Sequence, residues 1–208
     1  AEPVLPPATA VKAEQQPWLM LVLPTVSLDV GTLPMPAYGL GAGIGVSTSG
    51  WRSSVSGAIW FKQAASTASA LDSFQTEYRR RSLQANACRD FSAGAFAIGP
   101  CVVFAFDSVT AGASTAVTND RGSRLTPASP TATWFSIGAG PSGAWHLSHH
   151  LSVVAAATVR LALIRPRFSV RGAVDDGSLE HGLLTYETQA HRVPFAAFDS
   201  SLGLVWIF

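Results

Sequence analysis

The sequence predicts an all-β protein, a closed antiparallel up-and-down transmembrane β-barrel of about eight strands. Three observations carry that expectation. Hydrophobic residues make up 48 % of the 208-residue chain and charged residues only 13 %, roughly half the charge of an ordinary soluble domain. No stretch reaches the roughly 18 to 20 consecutive apolar residues that a membrane-spanning helix needs; the longest pure runs hold six or seven, such as Trp18 to Leu23. From Trp18 onward, segments of about ten to fifteen residues alternate bulky apolar with small or polar side chains, the period-2 pattern of a strand with one oily face. In hydrocarbon every backbone N–H and C=O must be paired internally, and without helices a closed barrel is the way to do it.

Residues 1–16 carry Pro3, Pro6 and Pro7 among small and polar residues and read as a flexible periplasmic N-terminal segment, with 17–208 as the barrel. The chain starts at Ala1 without a basic-then-apolar leader, as a mature form does after loss of a secretory signal. The eight expected strands are 18–31, 37–48, 51–63, 76–89, 95–110, 131–143, 150–164 and 193–208. The second is the clearest: Tyr38, Leu40, Ala42, Ile44 and Val46 alternate with Gly39, Gly41, Gly43, Gly45 and Ser47. In the third, Trp51, Val55, Ile59 and Phe61 oppose Arg52, Ser54, Ser56, Ala58 and Lys62, although Trp60 breaks the pattern.

The connections fall into two sets. Those after the second, fourth and sixth strands are short: Ser49-Gly50, Ser92-Ala93-Gly94, and Ala144 to His149. The first, near Pro34 and Pro36, is brief, whereas 64–75, 111–130 and 165–192 are longer. Tight turns alternating with longer loops are the layout of bacterial barrels and predict an even strand number with both termini periplasmic. Within the last loop, Arg167 to Arg171 and Leu183 to Thr188 have strand-like composition, so the final hairpin should project beyond the bilayer.

The chain ends Ser201-Leu202-Gly203-Leu204-Val205-Trp206-Ile207-Phe208. A polar Ser201, a Gly203 two places later, and Trp206 and the terminal Phe208 at alternate positions fill the pattern of a carboxyl-terminal assembly signal, and aromatic rings suit the bilayer interface. In this motif, its size and its strand layout the chain resembles small bacterial outer-membrane barrels of the OmpA, OmpX and OmpW kind and, more loosely, uncharacterised myxobacterial barrels. The resemblance implies a Gram-negative outer membrane, insertion by the barrel-assembly machinery, and outer-membrane lipid and lipopolysaccharide as surroundings. It transfers no binding residue.

An eight-stranded barrel is wide enough only for side chains to fill it, so a plug of polar contacts is expected inside. Alternation turns Ser27, Glu77, Gln84 and Asn86 inward together with a charge network of Asp29, Arg52, Lys62, Arg80, Asp107, Arg160 and Asp199. Unpaired charges are costly there, so the three aspartates should lie near Arg52, Arg80, Arg160 or Lys62. Cys88 and Cys101 share the inward parity about a turn centred at Gly94-Ala95, which predicts a cross-strand disulfide. Trp18, Trp51, Trp145, Trp206 and Phe208 form one expected aromatic girdle, and Tyr38, Phe61 and Tyr78 the other. Arg79 and Arg81 should point outward at the height of lipopolysaccharide phosphates, as lipid anchors or as a solvated edge.

The net charge of +1, with basic residues scattered, makes no case for nucleic acid. His146, His149 and His150 occupy a turn without a companion Cys or acid, so no metal or cofactor is expected. The leading functional reading is a non-enzymatic barrel with a structural or surface-interaction role, its protein partner unknown. Three others stay open: a narrow porin-like channel for small solutes, a surface hydrolase using His181 or His191 beside Asp175, Asp176, Ser178 and Glu180, and a soluble lipocalin-like barrel.

Overall fold

The computed structural model describes residues 17–48, 50–68, 73–113, 131–174 and 184–208. Residues 1–16, and with them the expected N-terminal segment, lie outside the described residues. In chain order the strands are β1 (Trp18–Val30), β2 (Ala37–Thr48), β3 (Trp51–Trp60), β4 (Gln63–Ala68), β5 (Ser73–Arg89), β6 (Phe91–Ala93), β7 (Phe96–Ala113), β8 (Thr131–His146), β9 (Leu151–Ala162), β10 (Arg167–Val174), β11 (Leu184–Arg192) and β12 (Ala196–Ile207).

Eight of these close a ring of antiparallel pairs, β1-β2-β3-β5-β7-β8-β9-β12 and back to β1. The other four lengthen the wall or stand above it. Past a break at Phe61 and Lys62, β4 carries the line of β3 along β5; past Asp90, β6 carries the line of β5 along β7. The β10–β11 hairpin is a separate two-stranded sheet, where the sequence places a projecting hairpin. Ring closure leaves the eight ring strands without a free edge, each paired on both sides, which satisfies their backbone without help from water.

The alternation is turned inside out, as the sequence predicts. Leu40, Ile44, Ile59 and Trp206 point away from the ring and are 43, 61, 65 and 46 % exposed. Buried on the opposite faces are Ser27, Asp29, Arg52, Arg80, Asp107, Ser136, Ser142 and Arg160. In a soluble sandwich these sets would be exchanged.

One element departs from simple alternation. Pro24 has no N–H to give the ladder, and β1 meets this with a bulge: its register with both β2 and β12 shifts between Val22 and Thr25. An extra residue reverses the parity of everything after it. Hence even-numbered Met20 points inward below the bulge, and odd-numbered Ser27 and Asp29 point inward above it.

Short connections cluster at one rim, with the ends of β1 and β12, and longer ones at the other. The third short turn is tighter than expected, because β8 continues to His146 and only 147–150 connect it to β9. Just past the second, β7 makes a close approach that only glycine permits. A Cβ on Gly99 would sit 1.6 Å from the carbonyl oxygen of Arg89, so β7 touches the β5–β6 backbone at the Asp90 break.

Candidate functional site within the lumen

The interior is stacked in levels. At the short-turn rim Arg52 donates from Nη2 to Ser142 Oγ at 2.7 Å and to Asp90 Oδ1 at 3.2 Å. Beside it Cys88 and Cys101 face each other across β5 and β7, with Cα atoms 4.0 Å apart, and are joined by the predicted disulfide. Above them lies a cavity of about 100 Å³, walled by small and polar side chains including Ser54, Ser56, Gln84, Asn86 and Ser201. Its inner end meets Asp199.

At mid-barrel stands an ion cluster contributed by five of the eight ring strands. Arg80 of β5 grips Asp107 of β7 through Nε at 2.8 Å and Nη2 at 2.7 Å, and reaches Asp29 of β1 through Nη1 at 3.0 Å. Arg160 of β9 completes the bridge, with Nη2 2.8 Å from Asp29 and 3.3 Å from Asp199, and Nη1 3.3 Å from Asp107. Asp29 also accepts from the backbone N–H and the hydroxyl of Thr32, which ties the turn after β1 to the cluster. Two cations thus face three anions in a space from which water is largely excluded. Such pairs stabilise only when well coordinated, and removing one partner is far more costly than removing both.

The long-loop half is apolar, which corrects the expectation of a wholly polar plug. Trp60, Tyr78, Val109, Trp134, Phe168 and Val193 pack together inside the ring with Leu33, Ala37, Ala111 and Ala162. Trp60, the residue that breaks the pattern of its segment, lies under the Arg80 guanidinium at 4.2 Å from ring centroid to Cζ and donates Nε1–H to Ser82 Oγ at 3.0 Å. It covers a cation that would otherwise meet hydrocarbon side chains. Tyr78, expected in a lipid-facing girdle, is fully buried inside the barrel. The parity of β5 puts it on the same face as Arg80, and parity overrides the preference of tyrosine for interfaces.

The base of the β10–β11 hairpin seals this end. Phe168 meets the Tyr78 ring edge-on at 6.0 Å, and His191 stacks on Phe168 and donates Nε2–H to the carbonyl of Thr32 at 3.0 Å. Burial pushes the His191 imidazole below its ordinary pKa, against the weaker pull of the Thr32 carbonyl.

Of the charged residues singled out from sequence, Asp29, Arg80, Asp107, Arg160 and Asp199 converge. Arg52 stands apart at the short-turn rim, where its partner is Asp90, a residue the sequence reading leaves unassigned. Lys62 is not a lumen residue: the β3 strand ends at Trp60, and Lys62 lies past the break, half-exposed and paired with Glu77. Ser201, Gly203, Trp206 and Phe208 lie on or just after β12, with Trp206 and Phe208 exposed to the outside and Gly203 buried beside Thr25. Trp18, Trp51 and Trp145 share that rim, and Tyr38 and Phe61 face outward at the other. Arg79 and Arg81 are exposed on β5. His146 bonds Ser152, and His150 bonds the carbonyl of Ile207 and stacks on Trp206. His181, Asp175, Asp176, Ser178 and Glu180 lie outside the described residues.

No protein-family profile matches the chain, and no curated protein aligns with it. Solved structures do match over nearly its whole length. A major outer membrane protein from Thermus thermophilus superposes with a TM-score of 0.60 at 10 % identity, covering 92 % of this chain and 99 % of the other. The outer membrane protein OprG from Pseudomonas aeruginosa gives 0.55 at 9 % identity, covering 94 % and 97 %. Neisserial surface protein A gives 0.51 at 10 % identity, covering 92 % and 97 %. The chain therefore has the fold of small outer-membrane β-barrels.

Proposed function

We propose that this protein is an integral outer-membrane barrel with a closed lumen, its termini and short turns in the periplasm, acting without catalysis in envelope structure or in contacts made by its outer hairpin and loops. The observation that carries this reading is the stack just described: the Arg80, Arg160, Asp29, Asp107 and Asp199 cluster crosses the lumen, and ten apolar side chains fill the space beyond it. A solute would have to part five ion pairs and then a packed aromatic layer. The cavity at the short-turn end reaches the cluster at Asp199 and is lined by none of the ten apolar residues beyond it.

The apolar outer face supports the membrane location, since lipid solvates what water would not. His191, one of two histidines considered for hydrolysis, spends its Nε2–H on a backbone carbonyl and packs its ring between aromatics, an environment that favours anchoring over proton transfer. The test is conductance in planar bilayers. Purified protein should leave the membrane silent at moderate voltage; reproducible discrete steps would replace this reading with the narrow-channel one.

A further inference from the structure

Three basic side chains of the long-loop rim, those of Arg165, Arg167 and Arg192, are gathered at one place. Arg167 and Arg192 face each other across the base of the β10–β11 hairpin. Arg165 donates Nε–H to the carbonyl of Val193, the neighbour of Arg192, at 3.1 Å. All three side chains are exposed, and the alternation that buries Phe168 and Val193 in the mouth turns Arg167 and Arg192 to the outer surface. Among the described residues no carboxylate pairs with any of them. They act on one another instead: Arg165, then Arg167, holds the Arg192 guanidinium below its ordinary pKa. Directly beneath, where Ala162 bonds the Phe195 carbonyl at 2.9 Å, Leu163, Ile164 and Phe195 present large apolar side chains outward, 66, 58 and 58 % exposed.

We infer that Arg165, Arg167 and Arg192 bind the phosphate of a lipid headgroup in the leaflet facing the long loops, while Leu163, Ile164 and Phe195 seat the upper part of its acyl chains. Three like charges held together, with no carboxylate paired to them among the described residues, attract an anion, and the planar fork of donors on arginine matches phosphate oxygens two at a time. Arg165 is already oriented by its bond to Val193, so less side-chain freedom is lost on binding. A free phosphate would satisfy the guanidinium groups but leave the apolar shelf unused; an amphiphile satisfies both. The inference rests on the transmembrane reading above.

Native mass spectrometry of the protein released from mixed micelles gives the test, with diphosphorylated lipid A, its monophosphorylated form, phosphatidylcholine and inorganic pyrophosphate as probes. Retention should fall in that order for the three lipids, and pyrophosphate should neither stay bound nor displace the lipid. The triple variant R165Q/R167Q/R192Q should bind diphosphorylated lipid A roughly a hundredfold more weakly, about fivefold per guanidinium removed. That variant must still show the heat-dependent gel shift of a folded barrel, which its exposed substitutions leave intact. Unchanged retention by the triple variant overturns the site. So does tight retention of pyrophosphate alone, which marks a site for soluble anions. An equal loss per arginine in R79Q/R81Q, on the opposite side of the ring, marks diffuse charge and overturns it too. A barrel that inserts into vesicles yet shows none of these preferences defeats this inference alone; a chain that stays in solution without detergent defeats the transmembrane reading beneath it.

Discussion

Replacing Arg80 with leucine should be among the most damaging single changes in the molecule. Its guanidinium is fully buried and lies within 3.0 Å of two carboxylates, and its loss leaves Arg160 alone against Asp29, Asp107 and Asp199. The cluster passes from one negative charge in formal excess to two. Removing one partner of a buried pair costs about 3–5 kcal/mol, most of it the desolvation of the charge left behind. Leucine packs acceptably on Trp60, so the upper part of that range reflects charge more than volume. Asp107→Leu is the informative counterpart: it leaves two arginines facing two aspartates, a neutral set, and should cost only about 1–3 kcal/mol in lost charge-assisted bonds. The double variant restores the wild-type excess of one and should be more stable than the sum of the single losses predicts, by at least about 1 kcal/mol. Urea unfolding in vesicles, followed by the fluorescence of the six tryptophans, reads all three. Equal losses for the two single variants with an additive double, or an Arg80→Leu protein within about 1 kcal/mol of wild type, would refute the argument from charge excess.

Three further outcomes follow from the same structure. Gly99→Ala should destabilise the β5–β7 hairpin by about 1–3 kcal/mol, because its Cβ collides with the Arg89 backbone rather than with a movable side chain; an unchanged urea midpoint would contradict the close approach. The Cys88–Cys101 bridge closes a loop with a sequence separation of 13, so C88S/C101S, or wild type in reductant, should lose about 2–3 kcal/mol, and a midpoint indifferent to both would show that the bridge adds nothing. Acidification should loosen the hairpin base: the folded His191 pKa is lowered, so the docking it supports is complete above the unfolded value of about 6.5 and weakens as pH falls below it. Amide exchange at 191–193, corrected for intrinsic rates, should quicken from pH 7.5 to 5.5 in wild type and stay flat in His191→Gln.

Most of the ring was legible because its signal is local. Tyr38 to Thr48 states its two faces within a single strand, and the inward face that alternation assigns to Asp29, Arg80, Asp107, Arg160 and Asp199 is the one on which they are buried. The disulfide followed from parity and symmetry about one turn. What stayed hidden depends on where a strand stops or slips. The end of β3 at Trp60 removes Lys62 from the lumen, and nothing in the alternation marks that end. Pro24 does announce a bulge, since a proline inside a strand is confined to edges and irregularities, and it is the bulge that turns Met20 to the same face as Ser27 and Asp29. The apolar plug was obscured by chemistry: inward-facing Tyr78, Trp60 and Trp134 have the same composition as a lipid-facing girdle, and only the fold distinguishes them. The Arg165, Arg167 and Arg192 group depends on the register that pairs β10 with β11, which the alternation within either strand does not set.

The central claim concerns which way the strands face, and paired spin-label accessibility tests it most directly. With Cys88 and Cys101 oxidised, single nitroxides at Ile44 and Ile59 should in vesicles be relaxed strongly by dissolved oxygen and weakly by a water-soluble nickel chelate. Labels at Ser56 and Gln84, on the lumen wall, should show weak oxygen relaxation. Oxygen accessibility highest at Ser56 and Gln84, with Ile44 and Ile59 shielded from both reagents, would put the apolar stripes in a dry interior and contradict the account.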